Sequence, residues 1–388
     1  MNCQKRLFSL KNDHHYFNCA YKAPLLKAAE TAGLKAISQE RNPFEIQTED
    51  FFNTTQQVKK EFATLINSQW YQIAMIPSVS YGLGTALNNI VGKHNGNAIT
   101  VEEEFPSGYY ALERWCKENQ NTLKVISPDQ MSSNGENWNN KLLETINKKT
   151  SIVLISSIHW MHGLKFDLKA IGEKCEHVGA YFIVDGTQSV GALPIDVNDF
   201  KIDALICAGY KWLLGPYSIG LAYFNDKFIH GKPLEESWMN RSNSQDFSKL
   251  TQYESQYNQG AARYNVGQTS NFILTPMLLA ALQQINQWKT ENIQRYCHEL
   301  TTPLFLYLNE SGFKIERGQY SVNHLFAIQV SDQQHIEELA KQFKINNIYA
   351  SVRSQYIRLS VNVFNESSSI DRLIDTIGSV AKKLYVRN

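Results

Sequence analysis

Between about residues 70 and 225, short apolar runs rich in β-branched residues alternate with longer stretches whose apolar positions recur at helical spacing. Segments 98–102, 123–127, 152–157, 181–185, 204–208 and 219–224 are the candidate strands. Most are almost continuously apolar and do not alternate with polar residues, as a sheet covered on both faces requires. Segments 107–119, 139–147 and 167–179 between them carry helical patterns. Alternation of this kind implies right-handed crossovers, hence an α/β fold whose mostly parallel sheet has helices on both faces.

Segment 241–260 is polar and reads as a long surface loop, a kind of segment that is often functional. Beyond Pro276 the pattern changes. A long helical stretch (277–308) leads to a strand (324–330), a helix (334–343), two strands (348–352 and 356–361) joined as a hairpin around 353–355, and a closing helix (368–384). The expected organisation is an N-terminal segment (1–20) packed near a smaller α+β domain (276–388), with a large domain over 21–275. Neither an internal repeat nor a low-complexity tract is visible.

The 388 residues fit two or three structural units and a buried core that needs neither disulfide nor metal. Lys and Arg (38) balance Asp and Glu (37). That argues against a broad nucleic-acid or polyanionic-membrane surface and leaves room for a local basic pocket. The six cysteines, Cys3, Cys19, Cys116, Cys175, Cys207 and Cys297, show no Cys-x-x-Cys spacing and read as reduced thiols of a cytoplasmic protein. The start carries Lys5 and Arg6 but no apolar run of secretory length, and stretches such as 151–158 are too short to span a bilayer.

In an open parallel sheet, ligands bind beyond the carboxyl ends of the strands, so the residues after each strand are the place to look. Segment 181–184 runs into Asp185-Gly186-Thr187-Gln188. A carboxylate closing an apolar strand is costly to bury unless it meets a cation. The next strand ends in Cys207-Ala208-Gly209-Tyr210-Lys211-Trp212, which sets a lysine among aromatic and aliphatic neighbours. Desolvation lowers a lysine's pKa and supplies the free amine that Schiff-base chemistry needs. On position alone, the pair reads equally as an ion pair tying two strand ends together.

The flanking residues, VDGTQSVGALPIDV followed by KIDALICAGYKWLLGP, resemble the pyridoxal-phosphate region of class V aminotransferases, the fold type I group that includes cysteine desulfurases and kynureninases. The resemblance runs over roughly residues 16–385, with the motifs in family order. It implies a pyridoxal 5′-phosphate cofactor. Lys211 would hold its aldehyde as a Schiff base, Asp185 would keep its ring nitrogen protonated, and Gln188 would hydrogen-bond near its phenolic oxygen.

The same resemblance assigns further residues. Phe105, within Glu104-Phe105-Pro106-Ser107, stands where the family lays a ring on the cofactor. The Phe-Pro form is similar to kynureninases, as is Tyr210, whose hydroxyl is a candidate phosphate donor. Val79 through its backbone and Ser80 through its hydroxyl are the expected phosphate ligands at a helix N-terminus. His162 is the candidate contact to the phenolic oxygen, and His159-x-x-His162 lacks the further ligands that a metal site needs. Gln268 and Thr269 lie in a segment that resembles the one reaching across a homodimer to the second subunit's phosphate. Arg358, in Tyr356-Ile357-Arg358-Leu359-Ser360, is similar to the family's arginine for the substrate α-carboxylate, a group that a planar guanidinium holds bidentately. Arg353 and Arg41 are candidates for a second acid group on the substrate.

The expected reaction is amino transfer between a small α-amino acid and a 2-oxo acid, with Lys211, Asp185 and Phe105 as catalytic residues. C–S or other β-lyase, desulfurase-like and epimerase chemistry on the same scaffold are the alternatives. A desulfurase needs a cysteine on a mobile loop shortly before the carboxylate arginine, and between Phe343 and Arg358 there is none.

Overall fold

The structure, a computed structural model, describes residues 1–129, 135–330, 332–353 and 355–385, with 381–385 described by backbone alone. In chain order the strands are β1 (His15–Tyr16), β2 (Ile73–Ile76), β3 (Asn97–Val101), β4 (Thr122–Ile126), β5 (Thr150–Ser156), β6 (Tyr181–Asp185), β7 (Ala204–Ala208), β8 (Gly220–Phe224), β9 (Leu325–Gln329), β10 (Ile348–Tyr349), β11 (Ser351–Arg353) and β12 (Tyr356–Ser360). Seven of them form the central sheet in the order β2-β8-β7-β6-β5-β3-β4. Its pairs are parallel except that β8 runs against both neighbours.

The mostly parallel, doubly covered sheet is present, with two departures from the expected strands. Connection 209–219 is too short for the crossover of a dozen or more residues that parallel pairing requires, so β8 turns back beside β7. The edge strand β2, Ile-Ala-Met-Ile, was absent from the expected set, because periodicity does not distinguish so short an apolar run from buried helix. Successive residues feed opposite faces. Ile99, Val153, Val184 and Leu205 join one apolar cluster, while Ala98, Leu154, Ile183 and Ile206 join the other. Helices cover both clusters; one of them, Leu168–Val178, is capped by the Asp167 carboxylate on Ala170 N–H and ends at Gly179 with φ 68°.

The expected helix 277–308 is two helices, Leu274–Trp288 and Thr290–Glu310, parted at Lys289, whose φ is 66°. One left-handed residue redirects the chain there, and the helical periodicity on either side does not signal it. Strand 348–352 is likewise two pieces. β10 pairs parallel with β1, whereas β11 joins β12 and β9 in an antiparallel sheet. Ser354, at the centre of the expected turn, lies outside the described residues. Segment 1–20 runs along this region, with Gln4 N–H on Val363 O (2.7 Å) and Lys5 on Glu366 (2.6 Å). Among the described residues no helix is long and apolar enough to cross a membrane.

Candidate active site

All the central strands but β8 run one way, so the segments following β2, β3, β5, β6 and β7 emerge at one edge of the sheet, where the chain also turns back into β8. They enclose a cavity of about 380 Å³, within the range of small-molecule sites, about 300–1,000 Å³. Phe105, Trp160, Tyr210, Lys211 and Tyr217 are common to this cavity and an adjoining cleft that reaches Arg358.

Asp185 closes β6 and Lys211 follows β7, and each is 7% exposed. Asp185 Oδ1 accepts from Thr187 N–H at 2.9 Å. The Lys211 ammonium lies 5.5 Å from the Phe105 ring centre and 5.7 Å from that of Tyr210. Among the described residues it makes no hydrogen bond or ion pair, so Asp185 and Lys211 are not a closed salt bridge. Burial pulls the Lys211 pKa down to about 8 against the opposing influence of Asp185, and burial raises that of Asp185 against Thr187 and Lys211.

Helix starts also line the cavity. Ser78 caps helix Val79–Leu87 by accepting from Tyr81 N–H at 3.2 Å. The N–H groups of Val79 and Ser80, in its first turn, have no acceptor within the helix. Ser80 Oγ meets Ser107 Oγ at 3.2 Å, and Ser107 lies in the first turn of helix Pro106–Glu118. Two helix N-termini with two hydroxyls therefore converge on one spot, an arrangement that attracts an anion.

Phe105 is held from behind. Its N–H donates to Glu104 Oε1 at 2.6 Å, and Ser156 donates to the same carboxylate through its N–H (2.6 Å) and hydroxyl. Glu104 is 6% exposed, and burial pushes its pKa up to about 7 against those donors. Trp160 meets Phe105 edge-on at 5.6 Å, and its indole N–H donates to Glu103 O at 2.7 Å. Arg358 is 2% exposed. Its Nη1 donates to Trp160 O at 2.8 Å and its Nη2 to Ser351 Oγ at 3.4 Å, while Nε is buried and has no partner among the described residues. Burial lowers its pKa to about 10, so it stays charged.

Asp185, Lys211, Phe105, Val79, Ser80, Tyr210 and Gln188 thus line the cavity, and Arg358 and Arg353 line the cleft. Gln188 is already engaged, with Nε2 on Ala20 O (3.0 Å) and Oε1 accepting from Trp212 Nε1 (2.9 Å), which leaves one amide hydrogen to offer. His162 does not line this cavity. The turn after β5, closed by Gly163 N–H on His159 O, carries His162 away from the cavity to Glu103 Oε2 (3.0 Å), between the His159 and Tyr356 rings. Trp160 takes the place facing the cavity. Gln268 and Thr269 are not brought to Lys211 within one chain, and Thr269 Oγ donates to Val266 O. Arg41 is exposed and outside the cleft. The sequence reading missed Trp160, Ser107, Ser156 and Glu104; for Ser107 the signal was its position immediately after Pro106, at the start of a helix.

The chain matches the family Aminotransferase class-V over residues 40–373. It is 24% identical over 327 residues to an uncharacterized aminotransferase, YcbU, of Bacillus subtilis, covering 84% of this chain and 83% of that one. It is 26% identical to a kynureninase of Sclerotinia sclerotiorum over 63% of this chain and 55% of that protein. Among solved structures, it resembles a C-DES mutant with glycine covalently linked to its PLP cofactor, with TM-score 0.85, 20% identity, and 96% and 98% coverage. The apo cysteine desulfurase of Thermococcus onnurineus NA1 gives TM-score 0.80 at 17% identity, with 99% of each chain covered.

Proposed function

The chain belongs to the class-V aminotransferase family, and from that premise we propose that it is a pyridoxal 5′-phosphate-dependent aminotransferase moving an amino group between a small α-amino acid and a 2-oxo acid. One observation carries the reading: a buried carboxylate and a buried amine face one cavity without closing on each other. When bound, the cofactor supplies an aldehyde that accepts an amine and a ring that withdraws electrons from the substrate α-carbon.

The residues fit that group end by end. Lys211 would bond its aldehyde, Asp185 would hold its ring nitrogen, Phe105 would cover a ring face, and Val79, Ser80 and Ser107 would receive its phosphate. Asp185, which burial pushes toward the neutral acid, keeps its charge beside a cation and so holds a proton at that nitrogen. Burial lowers the Lys211 pKa to about 8, so part of its amine is unprotonated at neutral pH, and Lys211 would take and return the α-proton. Phe105 carries no exchangeable side-chain proton, so it positions and does not titrate. Arg358 offers the substrate α-carboxylate a buried guanidinium with an unpaired Nε.

The separation of Gln268 and Thr269 from this cavity suits a homodimer in which each subunit completes the other's phosphate site. The division into domains 21–275 and 276–388 belongs to the same proposal, as does a reducing cytoplasmic setting for the six thiols. The lack of a cysteine between Phe343 and Arg358 favours transamination over a route through a protein persulfide. The test mixes holoenzyme with single amino acids and follows absorbance. Conversion of the cofactor to its pyridoxamine form, reversed by a 2-oxo acid, is expected. Release of pyruvate and ammonia without an acceptor would overturn the reading in favour of β-elimination.

A further inference from the structure

The cleft beyond Lys211 is one-sided in charge. Lys22, Arg353 and Arg358 line it together with Lys211, and among the described residues no Asp or Glu lines it. Among the described residues none of these four cations makes an ion pair.

The backbone sets their positions. In the antiparallel pair β11–β12, Ser351 stands opposite Arg358 and Arg353 opposite Tyr356. Side chains alternate between faces along a strand, so all four share one face. The contact of Arg358 Nη2 with Ser351 Oγ lies on that face. Arg353 is the diagonal neighbour of Arg358, at about 7–8 Å, and its charge is felt there, adding to the depression of the Arg358 pKa. Lys22 arrives on a segment that is pinned on both sides. Gln188 Nε2 donates to Ala20 O, Ala20 N–H donates to Ser360 Oγ, and Ala23 N–H donates to Tyr210 O, each at 3.0 Å. Both Lys22 and Arg353 are exposed and free to turn toward a ligand.

Like charges gathered around a hollow raise its affinity for an anion, and a single α-carboxylate answers only one of them. We infer that the substrate carries a second acid group: Arg353 and Lys22 receive the side-chain carboxylate of an α-amino dicarboxylic acid while Arg358 holds its α-carboxylate. This deepens the aminotransferase reading and rests on its assignment of Arg358.

The test is calorimetric titration of the holoenzyme, as wild type, Arg353→Gln and Lys22→Gln, with unreactive succinate and with butyrate. Succinate is expected to bind about ten- to a hundredfold more tightly than butyrate, the range of a charged hydrogen-bonded contact. Arg353→Gln closes most of that gap, and Lys22→Gln narrows it. With glutamate and alanine as donors, the ratio of their kcat/KM values moves the same way. Equal affinity for the two acids, or a gap that survives both substitutions, would overturn the inference. A protein that discriminates succinate through Arg353 yet converts no amino acid would refute transamination and leave the dicarboxylate site standing.

Discussion

Glu104 offers the sharpest physical prediction because it stands behind two residues of the cavity wall, Phe105 and Ser156, and holds both. The carboxylate receives Phe105 N–H, Ser156 N–H and the Ser156 hydroxyl, and is 6% exposed. Burial outweighs those donors and raises its pKa from 4.5 to about 7. A carboxyl group with a folded pKa above its unfolded value is protonated more readily in the fold. Its stabilising contribution is complete below about pH 4.5 and is lost as pH rises through about 7. The shift corresponds to about 3 kcal/mol, most of it falling between pH 5 and pH 8. Glu104→Gln is neutral throughout and lacks this slope. Scanning calorimetry of the apoprotein at pH 5, 6, 7 and 8 would compare the two. Relative to wild type, the variant's Tm should rise across that range by about 3 °C, given the unfolding entropy of a chain this long. A Tm difference that does not vary with pH would refute the reasoning, whatever its size.

Other expectations follow from the same geometry. Asp185→Asn removes the charge that a buried cofactor cation needs, which costs about 3 kcal/mol; equilibrium dialysis should show cofactor affinity lowered about a hundredfold, and unchanged affinity together with unchanged kcat would count against the assignment. Arg358→Gln should lower kcat/KM about ten- to a hundredfold by loss of a charged contact to the α-carboxylate, with a steady-state assay as the check. The rate at which apoprotein captures the cofactor should rise with pH and level off near 8, the pKa of the Lys211 amine; a rate still climbing to pH 10 would mean an ordinary lysine. Gly191 has φ 95°, and a Cβ there would lie 2.3 Å from Trp212 O, so Gly191→Ala should cost about 1–3 kcal/mol and lower Tm while disturbing the turn that carries Lys211.

What the chain discloses by pattern is the part of the fold that burial dictates. Strands β3, β5, β6 and β7 are almost wholly buried, so most of their residues are apolar, and the acid that ends β6 and the lysine that follows β7 stand out against that background. The edge strand β2 and the break at Lys289 carry no comparable signature, since one is a single short run and the other a local dihedral. Side-chain direction after β5 was illegible for the same kind of reason. In an irregular turn no period says whether Trp160 or His162 faces the cavity, and hydrogen bonds to Glu103 decide it. The support of Phe105 by Glu104 is equally hidden, because three adjacent glutamates look alike until one is buried.

The central claim is that Lys211 is the amine that grips the cofactor. Holoenzyme reduced with borohydride, digested and mapped by mass spectrometry should carry the pyridoxyl group on the peptide containing Lys211. A label on any other lysine, or none in protein that has bound the cofactor, would contradict it.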